Sequence, residues 1–386
     1  MNLRTGILLT IIAAAFAWYV SSKPMDFRVY HYGARGVFDG TRPVYGASSG
    51  LGWPMHYRYP PLFLLLFTPF AMLPLGLSAG LWVVAKFSVL ILLVRDLVRR
   101  RAPPSWWIPV LLAAPFVVQD FRYGNAQFFV FALAACGLLL ARERPVLAGA
   151  ALGLGIATKI WPAFFLPYLV VRRDWKAAGW TVIITLVLTL LPSAYFGIGG
   201  NNNLLDQWVH QESATQTGQE EIWFPSQSLR GVMMRYLTVI DYSQVPDSNY
   251  RLVHVAALSP ATIRTVWLTA AALAYAAFLG FVARRRESSG WEEAALGFCL
   301  IGLLQPFTQK YALVILLWPA LAASHFLANR TARILIYVSV GLVWIQPLIP
   351  GSAAQRLLQV LGFDFFATLA LAAAVAIGAT TYPRSV

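Results

Sequence analysis

The chain reads as a succession of apolar runs separated by polar turns. A helix that crosses a bilayer needs about 20 mostly apolar residues. Residues 5–21, 75–94, 179–197, 263–282, 334–349 and 363–380 meet or approach that length. Shorter runs at 106–118, 128–141, 145–158, 163–171, 294–304 and 311–327 continue the alternation. One run departs from it. Residues 62–73 are too short to span, follow the pair Pro60-Pro61 and stop at Pro74, which predicts a re-entrant or interfacial helix with proline in its first turn. The pattern therefore predicts an all-α polytopic membrane protein with about twelve transmembrane helices and interfacial helices in the first external loop, residues 23–74. A second long external segment, 198–260, is long enough for surface helices but hardly for a core of its own. With no repeat, low-complexity tract or soluble linker, the expectation is one membrane domain over 1–386.

Charge orients this pattern. Arginines close the runs at Arg95 and Arg99 to Arg101, Arg142 and Arg144, Arg172 and Arg173, Arg284 to Arg286, and Arg330 and Arg333, so these turns are expected on the cytoplasmic side. Both termini then fall inside. Counting 62–73 as a span would invert every later loop. The first run follows Arg4 and leads into Ser21-Ser-Lys-Pro24, which lacks an Ala-x-Ala cleavage pattern, so it is read as an uncleaved span.

Composition supports the membrane reading. Of 386 residues, 58% are hydrophobic and 12% charged, against about 25% charged in soluble domains. The net charge of +14 is dispersed among apolar runs, which fits topology signals and anionic lipid partners, not nucleic acid. Cys136 and Cys299 lie inside apolar runs, and no Asp-x-Asp pair or His-x-x-x-His spacing occurs; no disulfide framework, metal or other cofactor is expected.

Polar groups gather beside four external run ends: Asp26 to Tyr32, Tyr57 to Pro61, Tyr123 to Gln127 with Lys159, and Gln305 to Lys310. Sugar transfer from a lipid phosphate to a hydroxyl needs a base for the hydroxyl proton and cations for the departing phosphate. Asp26 is the candidate base. Arg58, Lys159, Lys310 and Arg230 are candidate phosphate or sugar contacts with Gln309 beside them, and Tyr30, Tyr59 and Gln127 are candidate sugar-positioning groups. Each has a plainer reading. Asp26 fits a solvated helix end or an ion pair with Lys23 or Arg28; Arg58 and the tyrosines fit an interfacial belt; Lys310 fits a snorkelling side chain. Lys159, between two apolar helices, calls for a partner or a task. Lys86, mid-run, is either a buried structural cation or a site residue.

The ordered motifs Asp26-x-x-x-Tyr30, Gly40, Tyr45, Tyr57-x-Tyr-Pro-Pro61, Tyr123-Gly-Asn-Ala-Gln127, Gly153-x-Gly-x-x-x-Thr158-Lys159-x-x-Pro162 and Ser226-Gln-Ser-Leu-Arg230 resemble bacterial glycosyltransferase family 87. That family includes mycobacterial polyprenol-phosphate-mannose-dependent α-1,2-mannosyltransferases. The resemblance implies a GT-C fold and an inverting, metal-independent hexosyltransferase of the bacterial plasma membrane. It implies a polyprenyl-phosphate sugar donor with mannose as the expected sugar, a glycan or glycolipid acceptor, and an extracytoplasmic active site with Asp26 as base. Two departures stand out: Gly124-Asn-Ala-Gln127 replaces the family's Gly-Gln-x-Asn, and Gln309-Lys310 stands where members carry histidine after a proline. Two other classes compete, a transporter or flippase for lipid-linked sugars and a non-catalytic glycolipid-binding protein. A flippase predicts paired mid-depth charges and a detectable repeat.

Overall fold

The computed structural model describes residues 3–40, 43–46, 56–101, 103–215, 223, 225–240 and 252–381. Among these residues every regular element is a helix and no strand occurs. The chain divides into two compact units, one of Met1–Ala102, Val118–Ala163 and Asp174–Ser213, the other of Pro103–Val117, Phe164–Arg173 and Ala214–Val386.

In the first unit, α1 (Leu3–Ser22) packs along the apolar face of α4 (Leu75–Arg100), where Val20 and Val83 are buried between Phe16 and Phe87. Between them in sequence lie α2 (Met25–Phe38) and α3 (Pro61–Ala71). Pro61 occupies the first turn of α3, where its missing N–H costs nothing, and Pro74 precedes α4. The expected short helix at 62–73 is therefore present as an element separate from the span that follows. An aromatic cluster joins α2, α3 and α4: Phe27 meets Phe67 at 5.1 Å, Tyr59 stacks on Phe63 at 4.5 Å, and Trp82 closes on Phe67 at 5.3 Å.

The end of α5 (Trp107–Tyr123) leads into α6 (Gln127–Leu140) and α7 (Pro145–Thr158). Beyond α8 (Phe165–Val171), a second-unit helix, α9 (Trp175–Leu190) returns against α7. The small residues Ala148-Gly-Ala-Ala-Leu-Gly-Leu-Gly155 of α7 permit close packing: a Cβ on Gly149 would stand 2.4 Å from that of Trp180, and one on Gly153 would stand 3.0 Å from Ile184. A 90° bend separates α9 from α10 (Ser193–Thr215), which carries a further kink at Gly197, φ +72°.

The second unit holds α11 (Leu229–Leu237), α12 (Pro260–Arg284), α13 (Trp291–Leu304), α14 (Leu317–Ala323), α15 (Arg330–Leu348), α16 (Ser352–Val360) and α17 (Phe363–Thr381). α17 packs against α13 and α15. The turn arginines of this unit have structural partners. Arg172 donates to the Ser288 carbonyl at 2.9 Å, while Arg285 and Ser288 both donate to buried Glu293 at 2.7 Å.

Among the described residues four helices are long and apolar enough to cross a membrane, α4, α12, α15 and α17, or five if the bent pair α9 and α10 is one span. With the shorter apolar helices Gln127–Leu140 and Pro145–Thr158 beside them, this is a membrane protein. Of the long segment 198–260, α10 and α11 supply the expected helices, while Glu220 and Glu221 lie outside the described residues, as does Arg42.

Candidate active site

Asp26 sits in the first turn of α2, 4% exposed. Its Oδ2 accepts a hydrogen bond from Asn125 Nδ2 at 2.8 Å, and its Oδ1, also buried, has no hydrogen-bond partner among the described residues. Two donors fix the amide of Asn125: the Gln127 backbone N–H at 2.9 Å and the Tyr59 hydroxyl at 3.2 Å, both to Oδ1. With Oδ1 committed to donors, Nδ2 faces the carboxylate. Tyr30 completes the chain with its hydroxyl 3.1 Å from that of Tyr59. Gly124 makes this approach possible. It turns the backbone at φ +67°, and a Cβ there would stand 2.8 Å from Phe27 Cβ, next to Asp26.

Burial pushes the Asp26 carboxyl up from 3.8 to about 6. The Asn125 hydrogen bond opposes this, the Asp120 charge adds to it, and Lys159 and Lys86 oppose it. The result is a carboxylate more basic than usual yet still ionised at neutral pH.

Lys159 caps the C-terminus of α7 in extended conformation, with its Nζ 5.4 Å from the centroid of the Tyr59 ring. Burial first, then the Arg58 charge, lowers its ammonium from 10.5 to about 8; Asp120, Glu212 and Asp26 work the other way. The cation therefore belongs to the same polar cluster as the base.

Arg58 has a different setting from the expected one. It forms a two-pronged ion pair with Glu212 of α10, Nη2 to Oε2 at 2.9 Å and Nε to Oε1 at 3.1 Å. Three more hydrogen bonds hold its segment: Trp208 to the Arg58 carbonyl at 3.2 Å, Gln211 to the Tyr57 carbonyl at 2.8 Å, and Tyr45 to the Tyr59 carbonyl at 2.7 Å. Arg58 thus anchors the strand-like segment that presents Tyr59. The Gln127 backbone N–H donates to Asn125 Oδ1, while its side-chain Oε1 is buried without a partner among the described residues.

The remaining candidates belong to the second unit. Arg230 lies in α11, buried, with its guanidinium 5.3 Å from the Trp267 ring centroid. Gln309 caps the 3-10 turn Lys310–Leu316. Lys310 donates to Gln346 at 3.2 Å and pairs with buried Asp364 at 3.8 Å, and Gln346 donates to Asp364 at 2.7 Å.

Sequence reasoning named the Tyr123 to Gln127 motif but missed Asn125 as the contact to Asp26, and it missed Asp120. Lys86, left open between two readings, forms a fully buried ion pair with Asp120. Among the described residues no group of three or more His, Cys, Asp or Glu is placed to hold a metal ion.

The sequence model of glycosyltransferase family 87 matches residues 57–304. The chain belongs to glycosyltransferase family 87. The family match takes in Tyr59, Asn125, Lys159 and Arg230, while Asp26 precedes it and Lys310 follows it. The chain is 28% identical over 214 residues to a polyprenol-phosphate-mannose-dependent alpha-(1-2)-phosphatidylinositol mannoside mannosyltransferase of Mycobacterium tuberculosis, covering 49% of each protein. It is 32% identical over 178 residues, 39% of each, to the protein of the same description from Mycolicibacterium smegmatis. A pentamannoside mannosyltransferase of Mycobacterium tuberculosis matches at 28% over 200 residues, 47% of this chain and 46% of that protein. The chain therefore spans about half, or less, of the length of these relatives. No solved structure matches.

Proposed function

We propose that this family 87 member is a hexosyltransferase of the bacterial plasma membrane. It transfers mannose from a polyprenyl-phosphate donor to a hydroxyl of an extracytoplasmic glycolipid, a phosphatidylinositol mannoside or a similar glycan. The donor and acceptor classes follow the descriptions of the relatives. The observation that carries the chemistry is the Asp26 carboxylate, held through one oxygen by Asn125, its other oxygen, Oδ1, having no hydrogen-bond partner among the described residues.

In the proposed reaction Oδ1 accepts the proton of the acceptor hydroxyl as its oxygen attacks the anomeric carbon. The bond from that carbon to the phosphate oxygen breaks, polyprenyl phosphate leaves with the electron pair, and configuration inverts. Lys159 offers positive charge to the developing phosphate, with Arg230, Gln309 and Lys310 as further candidate donor contacts. Tyr30 and Tyr59 position the sugar, with Arg58 supporting Tyr59, and no metal or other cofactor is assigned. The frame is a single GT-C domain of twelve spans over 1–386, its site on the extracytoplasmic side.

The test is transfer by purified protein in lipid with a panel of polyprenyl-phosphate sugars. Asp26→Asn keeps the shape and loses the base, with an expected fall in kcat of about 10²–10⁴-fold. Transfer by the variant at the wild-type rate would sink the base assignment. No turnover of any donor by the wild type would favour the flippase or the non-catalytic binder.

A further inference from the structure

Lys86 and Asp120 form an ion pair in the first unit that the proposed chemistry leaves unused, each side chain with 0% exposure. A buried ion pair contributes little net stability, because desolvation of both charges offsets their attraction. Its placement here is informative. Lys86 projects from the middle of α4, and its ammonium donates both to the Asp120 carboxylate and, at 3.0 Å, to the Asp120 backbone carbonyl. The same carbonyl receives the Asn125 backbone N–H at 3.2 Å. Asn125 in turn donates its amide to Asp26 at 2.8 Å. One lysine therefore holds the turn from 120 to 125 at the point where that turn delivers the amide to the candidate base.

We propose that Lys86 and Asp120 are a positioning pair for Asp26, fixing by hydrogen bonds the turn that carries Asn125 to the carboxylate. This rests on the reading of Asp26 as the base. The groups facing Asp26 are Lys86 from α4, Asp120, Tyr123 and Asn125 from the end of α5 and its turn, Tyr59 from the segment before α3, and Lys159 after α7. Asp120 destabilises the Asp26 anion while Lys86 and Lys159 stabilise it. Neither member of the pair touches substrate in this scheme. Each acts through Asn125 or through its charge.

The opposite signs make the pair testable without turnover. An apolar carbodiimide reacts with protonated buried carboxyls, so the extent of Asp26 modification against pH, read by peptide mass spectrometry, reports its titration midpoint. Asp120→Asn removes the larger of the two opposing charge effects and is expected to move the midpoint down by about one pH unit, whereas Lys86→Met removes the smaller and moves it up by less. Unmoved midpoints, or shifts in the same direction, overturn the proposal. The double variant Lys86→Met/Asp120→Asn removes both charges and decides the matter alone if the single variants do not accumulate. Its midpoint is expected below the wild-type value, because the Asp120 charge outweighs that of Lys86 at Asp26, with kcat down at least about tenfold and donor KM unchanged because the turn has lost its anchor. Wild-type turnover by the double variant overturns the positioning role. The labelling result stands apart from the assignment of the base, which fails separately if Asp26→Asn retains full transfer.

Discussion

At the residue scale, the Asp26 carboxyl owes its character to opposing effects of known sign. Burial raises it and the Asn125 hydrogen bond restrains the rise, with the balance near 6. A base must be ionised to work, so kcat/KM is expected to fall as pH drops through about 6, well above the usual aspartate range. Asn125→Ala deletes the restraining hydrogen bond and the orientation together. The acid limb of the pH–rate profile should move upward, and kcat at neutral pH should fall by about 10–100-fold. An unchanged limb with normal turnover would separate Asn125 from the base. Asn125 was hard to single out in the sequence because Asn, Ala and Gln in one short turn offer two amides. Backbone geometry at Gly124, φ +67°, decides which one faces α2.

At the element scale, two devices hold the site in shape. The first is α10, whose Trp208, Gln211 and Glu212 grip Arg58 and its neighbours so that Tyr59 is presented to Asn125. Arg58 and Glu212 stand more than 150 residues apart in the chain, and nothing local in either segment announces the pair. The second is the glycine-lined contact of α7 with α9, which was legible because small residues repeat along 145–158. At Gly149 even one methyl group would meet the Trp180 backbone, 2.7 Å from its carbonyl carbon. Gly149→Ala is therefore expected to destabilise the protein by about 1–3 kcal/mol in thermal unfolding. Gly179→Ala on α9 is the control. A Cβ there meets nothing within 4 Å, so stability should hold or rise by up to about 1 kcal/mol. Equal effects at the two positions would contradict the close packing.

At the scale of the whole molecule, topology turns on α3. Its 11 residues span about 16 Å as a helix, about half of a hydrocarbon core. If it lies at the interface, Arg99 at the end of α4 is cytoplasmic. Arg99→Cys, in a background with Cys136→Ser, should resist membrane-impermeant thiol reagents applied from outside and react once the membrane is opened. Labelling in intact cells would make α3 a span and reverse the downstream loops. The second unit shows why the basic turns alone leave room for doubt about purpose. Arg172 and Arg285, which the sequence pattern reads as positive-inside signals, are committed to Ser288 and Glu293, so a structural contact accounts for the same residues.

The amino-acid sequence by itself determined the helical membrane class, the short proline-led helix, the basic turns and the nomination of Asp26. These rest on local composition and spacing, which the bilayer and the backbone read directly. Only the tertiary structure decided which groups surround Asp26. It gave Asn125 the contact to Asp26, tied Arg58 to Glu212, and joined Lys86 to Asp120. Buried polar groups must find partners wherever the fold brings them, and those partners come from residues far apart along the chain.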